Sequence, residues 1–246
     1  MQKNILKNTN FGFVNLNIIL FFTIFLSLYF TISIAISLSE KKDSVRTICY
    51  ESSIELQSHA LTAHRKLFNL NSVSTGLRIS IQTTQASIAA ATAALQFELI
   101  PPLERMLDTL YKSQKVLDKT QKTLIQTTIN YIKLKQAETV FKMNKSSQTQ
   151  NNTWAFLLDS FSNARINNKI DIPVQPDSIG GIGPNYEWKP NAEELLTVSY
   201  IWSSFFKTNE RYQHYLNWGN KYSFICGIKP QLKGKEWELK TIVDKF

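Results

Sequence analysis

Glycine is scarce in this chain. Of 246 residues only eight are glycine, about 3% against a usual level of roughly 7%, and between Phe13 and Ile179 the sole one is Gly76. That argues against a glycine-rich nucleotide fold and for a helical first two-thirds. Cysteine is limited to Cys49 and Cys226, which excludes a disulfide-dense scaffold, and 43% hydrophobic content excludes a fully disordered chain. The three histidines, His59, His64 and His214, include no i, i+4 pair, and neither cysteine sits at a metal-ligand spacing, so no metal site and no cofactor are expected. Gly180-Gly-Ile-Gly183 lacks a strand before it and a helix after it, and Pro184 follows, so it reads as a loop rather than a phosphate cradle. No Gly-x-Ser-x-Gly elbow occurs, and Asp159-Ser160 is unremarkable. With no catalytic constellation in the sequence, an enzyme is not expected.

Charge is missing too, from Asn8 to Ser39, and within that window Ile18–Ile36 is almost wholly apolar. About 20 residues at 1.5 Å each cross a hydrocarbon core, so residues 13–38 are expected to form a transmembrane helix. A secretory signal is the rival, with Ala35-Ile36-Ser37 as its cleavage site, but the apolar run exceeds an h-region of roughly 7–15 residues. Thr23, Ser27 and Thr31 recur at i, i+4 and give one face the small, weakly polar character that helix packing in lipid favours. Lys3 and Lys7 precede the span while Lys41, Lys42 and Arg46 follow it, a nearly balanced count. Long domains translocate regardless of flanking charge. The expected placement is therefore single-pass in the cytoplasmic membrane, N-terminus inside and bulk outside.

Beyond the span the pattern turns amphipathic. Val45, Cys49, Ser52, Leu56, Ala60, Ala63, Leu67 and Leu70 advance in threes and fours. Asn69–Gly76 has turn composition, which predicts a second helix from Leu77 to about Leu99, and Pro101-Pro102 suits the start of a third. That third helix carries a heptad seam: Leu103, Leu107, Leu110, Gln114, Leu117, Gln121, Leu124, Thr128 and Tyr131. Its Gln and Thr positions weaken it, so residues 40–145 read as a stalk folded on its own hairpin. Lys112, Lys115, Lys119 and Lys122 flank the seam without an aromatic or Arg cluster, which fits a solvated face and no nucleic-acid partner.

Residues 146–153 form a polar linker, and all five tryptophans lie beyond it with five of the seven prolines and six of the eight glycines. Leu195–Trp202, Tyr222–Cys226 and Trp237–Val243 have strand composition, with Pro230–Gly234 placed to close a hairpin between the last two. Residues 154–246 thus read as a small aromatic-rich α+β cap, and the fold class as α+β: a transmembrane helix, a long helical stalk or hairpin, and that cap. Asn144-Lys-Ser146 and Asn151-Asn-Thr153 match glycosylation sequons. Cys49 and Cys226 leave two readings open. They form one disulfide if the cap folds back toward the apolar span, or two separately buried thiols if the stalk holds it away.

The leader Met1–Gly12, short and basic and ending in glycine before Phe13 and an apolar helix, resembles a type IV prepilin signal. The layout as a whole looks like a minor pseudopilin of the tight-adherence (Tad) type, specifically over residues 1–40 and architecturally beyond. The resemblance implies that a prepilin-type peptidase cuts after Gly12, leaving Phe13 as the mature N-terminus. It implies assembly through the fifth mature position, where the family usually carries Glu and this chain has Asn17, an amide that accepts a hydrogen bond but supplies no charge. The expected function is a noncatalytic, membrane-anchored envelope subunit, with membrane lipid and pilus or secretion-system subunits as partners. The alternative is a periplasmic adaptor or receptor with a helical hairpin and a ligand-binding cap.

Overall fold

The computed structural model describes residues 9–149, 158–177, 183–208, 210, 219–233 and 236–243. Met1–Asn8 of the leader, the linker beyond Thr149 with the Asn151 sequon, Trp154, His214, Trp218, Gly180, Gly181 and Gly234 lie outside these residues. Helix α1 runs unbroken from Thr9 to Ala93, 85 residues or roughly 130 Å. A tight turn with a 3₁₀ segment, Phe97–Leu99, reverses the chain, and α2 returns antiparallel from Ile100 to Thr149. A four-stranded antiparallel sheet then forms from β1 (Leu158–Asn168), β4 (Val198–Thr208), β5 (Gly219–Lys233) and β6 (Glu236–Val243), in the order β1-β4-β5-β6. A two-stranded ribbon, β2 (Val174–Pro176) with β3 (Tyr186–Trp188), and the single turn α3 (Ala192–Leu195) fill the β1–β4 connection.

The hairpin closes on the expected seam. Gln114, Leu117, Gln121 and Thr128 of α2 are buried, with Leu103, Leu107, Leu110, Leu124 and Tyr131 half-buried; beyond them the buried line continues through Ile132, Gln136, Thr139 and Met143. On α1 it meets Val45, Cys49, Ser53, Leu56, Ala60, Ala63 and Leu67, so Ser53 rather than Ser52 holds the inward position. Lys112, Lys115, Lys119 and Lys122 are exposed. The Ser44 and Ser146 hydroxyls, 2.7 Å apart, tie the end of α2 to α1 just past the apolar segment.

Several expectations are corrected. Asn69–Gly76 is not a turn but lies within α1. Its polar side chains read as breakers because Asn and Ser compete for local backbone groups, yet here they reach sideways. Asn71 donates from Nδ2 to the Tyr186 carbonyl at 2.8 Å and accepts from the Tyr186 N–H at 3.0 Å, and the Ser74 hydroxyl is directed to the Gly183 carbonyl. The linker begins later than residue 146, since α2 continues to Thr149: Asn144 Oδ1 accepts the Ala164 N–H of β1 at 2.7 Å and binds the strand to the helix. That bond also occupies the sequon side chain. Leu195 closes α3 instead of opening a strand, with Glu193 and Glu194 in the first turn where the helix dipole favours acids. Strand β1 was not expected, because its Asn and Ser content hides it. The sheet, finally, does not cap the end of the stalk. It lies along the half of the hairpin nearer the apolar segment, and the far end projects beyond it.

The helical reading of Gly76 has a direct check. The residue is exposed, and an added Cβ would meet nothing within 4 Å. Gly76→Ala is expected to stabilise the fold by about 0.5–1 kcal/mol in chemical denaturation, as a glycine in a helix interior allows. A loss of stability would point to a turn.

Candidate functional site

Three regions of the molecule could do work. The first is the apolar segment of α1. Side chains from Leu16 onward through Phe21, Phe22, Phe25 and Tyr29 are exposed, and none of the most apolar stretch is buried against the rest of the chain. Both threonine hydroxyls are satisfied within the helix: Thr23 donates to the Leu20 carbonyl at 2.9 Å and Thr31 to that of Leu28 at 2.8 Å. A helix closed on itself in this way, and apolar over more than 18 residues, is long enough to cross a bilayer. Thr23, Ser27 and Thr31 line one shallow groove on it. Gly12, Phe13 and Asn17 lie in the first turns of α1, upstream of that groove.

The second region clasps the sheet to the helix. Cys49 and Cys226, both fully buried, are joined by a disulfide with Cα atoms 6.4 Å apart. Two turns on, the buried Gln57 donates from Nε2 to the carbonyls of Leu196 and Ile228, both at 2.9 Å, so one side chain ties α1 to the end of α3 and to β5. Arg78 and Asp177, each about 12–13% exposed, form an ion pair at 3.3 Å, and Arg78 also donates to the Gly183 carbonyl at 2.6 Å. Gly183 has a φ of 80°, the left-handed region that favours glycine, and a Cβ there would have to displace the Gln114 amide.

Between the two helices of the hairpin and the segment that follows β1 lies a cavity of about 250 Å³ lined mainly by Leu67, Leu124, Ile129, Ile132 and Ile170, with His64 in its wall. His64 is buried and its ring centroid is 5.4 Å from that of Trp188. Desolvation lowers its pKa to about 4, against a smaller upward pull from the Ala60 carbonyl. A neutral imidazole can exchange one hydrogen bond with a guest, and the charged groups of the wall are Lys133 and Asp171. The unfolded chain takes up this proton near 6.5 while the folded one resists it until about 4. Stability is therefore lost as pH falls through that window, by up to about 3 kcal/mol. Comparing urea midpoints at pH 7 and pH 4.5 for the wild type and His64→Leu is expected to show the larger acid loss in the wild type. Equal losses would mean that His64 ionises freely in the folded chain. On the other side of the seam His59 stacks on Tyr131 at 3.8 Å, and the Tyr131 hydroxyl donates to Glu55 at 3.2 Å. Among the described residues no three His, Cys, Asp or Glu side chains gather as metal ligands would.

The third region is the projecting tip. Leu95 is 72% exposed and Phe97 60%, followed by the half-exposed Leu99, and Leu95 has a φ of 57° although it carries a side chain. Left-handed backbone at a bulky residue costs roughly 1–3 kcal/mol, and here it closes the C-terminus of α1, where the Gln96 N–H donates to the Ala91 carbonyl at 2.9 Å.

Of the residues singled out from sequence, the fold brings Cys49 and Cys226 together and leaves Gly12, Phe13 and Asn17 on a separate stretch of helix. Sequence reasoning passed over His64, Gln57, the Arg78–Asp177 pair and the Leu95–Leu99 tip. His64 was within reach of periodicity, since it falls on the same three-and-four grid as Ala60 and Leu67. No protein-family model matches the chain, and no curated protein or solved structure shows significant similarity to it.

Proposed function

We propose that this chain is a noncatalytic, membrane-anchored subunit of the cell envelope, of the minor pseudopilin kind, in which α1 is both anchor and spine. The observation that carries the reading is the continuity of α1: one helix passes without a break from a bare apolar segment into a body bonded to it at Cys49. Anchor and ectodomain therefore move as one piece, as a subunit that transmits position within an assembly requires. A structural disulfide belongs to an oxidising compartment, which supports placing the sheet outside the cytoplasm. In this reading a prepilin-type peptidase removes Met1–Gly12, and Asn17 replaces the usual carboxylate, so subunits pack through helix faces such as Thr23–Ser27–Thr31 rather than through an ion pair.

Carbonate extraction of membranes tests the anchor. The wild type should stay in the pellet, and Phe25→Arg should shift it toward the supernatant, since a centrally placed Arg costs about 2.5–3.5 kcal/mol on the insertion scale. Quantitative release of the wild type would end the reading. A second reading, an adaptor that touches its partner complex with the hairpin tip, is favoured by the exposure of Leu95 and Phe97 and the strained backbone at Leu95. Leu95→Asp with Phe97→Asp would then abolish assembly while anchoring persists.

A further inference from the structure

The outer face of the sheet carries a row of residues that its height along α1 makes significant. Phe161 of β1 and Phe205 of β4 are direct register partners, 64% and 44% exposed, and Phe205 in turn is paired with Lys221 of β5. The Lys221 ammonium lies 5.2 Å from the centre of the Phe205 ring. On the opposite face Ala164, Trp202 and Ser204 turn into the core, so the two phenylalanines are left outside by strand alternation.

The position of the row follows from contacts. Cys226 is bonded to Cys49, and from there β5 descends toward the apolar segment until the Tyr222 ring lies 5.5 Å from Lys42 Nζ. Lys221 is one residue further, about 3 Å along the strand. Lys42 itself is four residues past Leu38, or about 6 Å up the helix axis from the end of the apolar span. The polar layer on each side of a bilayer is roughly 5–8 Å deep. With the apolar segment spanning, the Phe161–Phe205–Lys221 row is therefore level with the lipid headgroups. The charges at this level are mixed: Lys42 and Arg46 on α1 stand near Glu40 and Asp43, and Lys207 of β4 is exposed. Lys221 is the cation set directly against the exposed rings.

We propose that this end of the sheet rests on the membrane, with Phe161 and Phe205 entering the headgroup layer and Lys221 meeting anionic phosphates. Aromatic rings and lysine stems suit that layer, where an apolar body is covered and a polar end stays wet. The contact gives the domain a second point of attachment beside α1 and fixes its rotation about the helix axis. It rests on the reading of α1 as a retained anchor.

The test uses the full-length, disulfide-bonded chain in nanodiscs of phosphatidylcholine with or without phosphatidylglycerol. The photoreactive p-benzoylphenylalanine replaces Phe205, or in parallel Phe161, and Phe25 in the anchor and the exposed Val116 far up α2 serve as references. Lipid adducts from position 205 should exceed those from 116 by about fivefold or more, rise with phosphatidylglycerol, and fall again with Lys221→Glu. A yield at 205 no higher than at 116 while position 25 labels lipid overturns the proposal and leaves the anchor standing. A yield indifferent to both phosphatidylglycerol and Lys221→Glu also overturns it. Failure of position 25 to label lipid removes the anchor itself, and the proposal with it.

Discussion

Replacing Cys49 and Cys226 together by alanine is expected to cost about 5 kcal/mol of stability and to lower the melting temperature by about 10–20 °C. The bond closes a loop of 177 residues in sequence, so most of the effect is exerted on the unfolded chain, whose ends it restrains. Both sulfurs are fully buried in the cluster that includes Val45, Leu56, Tyr200 and Ile228. The double replacement therefore adds a packing loss, for two buried sulfur atoms, to the entropic term. The single variants Cys49→Ala and Cys226→Ala should each lose nearly as much as the double, because either one opens the loop. Reducing agent should bring the wild type down to the level of the double variant and leave that variant unmoved. Two alkylated cysteines per chain after trapping under nonreducing denaturation would mean that the thiols are separate, and the expected loss would vanish.

Trp202→Ala is expected to cost about 3–5 kcal/mol, the range for removing a large aromatic from a core. Trp202 is fully buried at the centre of β4, its ring centroid 5.3 Å from that of Phe224 and 6.4 Å from that of Tyr222. Its neighbour two residues back, Tyr200, is as deeply buried, and desolvation pushes that phenol up to about 12. The indole N–H of Trp202 has no hydrogen-bond partner among the described residues. Trp202→Phe should therefore be far milder than Trp202→Ala, because it removes an unpaired buried donor along with part of the ring. Urea unfolding of the three proteins decides the matter: a phenylalanine variant as damaged as the alanine one would mean that the N–H is bonded in solution.

What the sequence disclosed depended on which kind of residue made each contact. The α2 seam from Leu103 to Tyr131 was legible because burial there follows the heptad. The apolar span was legible because nothing charged interrupts it. The hairpin's reversal before Pro101 was legible from proline chemistry. The course of α1 through Asn69–Gly76 was not, since the residues that look like breakers are those that hold the β3 ribbon, and their partners lie more than 100 positions away. The same distance concealed the placement of the sheet along the hairpin: it is set by the disulfide and by Gln57, with Asn71 and Arg78 holding the ribbon beside it, and periodicity scores those three polar side chains as an ordinary polar helix face. Strand β1 escaped because Phe161 points outward while Ser162 and Ala164 face the helices, the reverse of the pattern that marks a half-buried strand. At the candidate site, Gly12 and Phe13 came from a local motif and His64 lay within reach of periodicity, whereas the tip at Leu95 acquires meaning only once α1 and α2 are folded together.

The pseudopilin reading stands or falls most directly on the mature N-terminus. Intact-mass measurement of the full chain expressed with a prepilin-type peptidase is expected to show loss of Met1–Gly12 and a protein that begins at Phe13, with Gly12→Val blocking the cut. A chain that still begins at Met1, or one that begins at Leu38 after conventional signal cleavage, would contradict it.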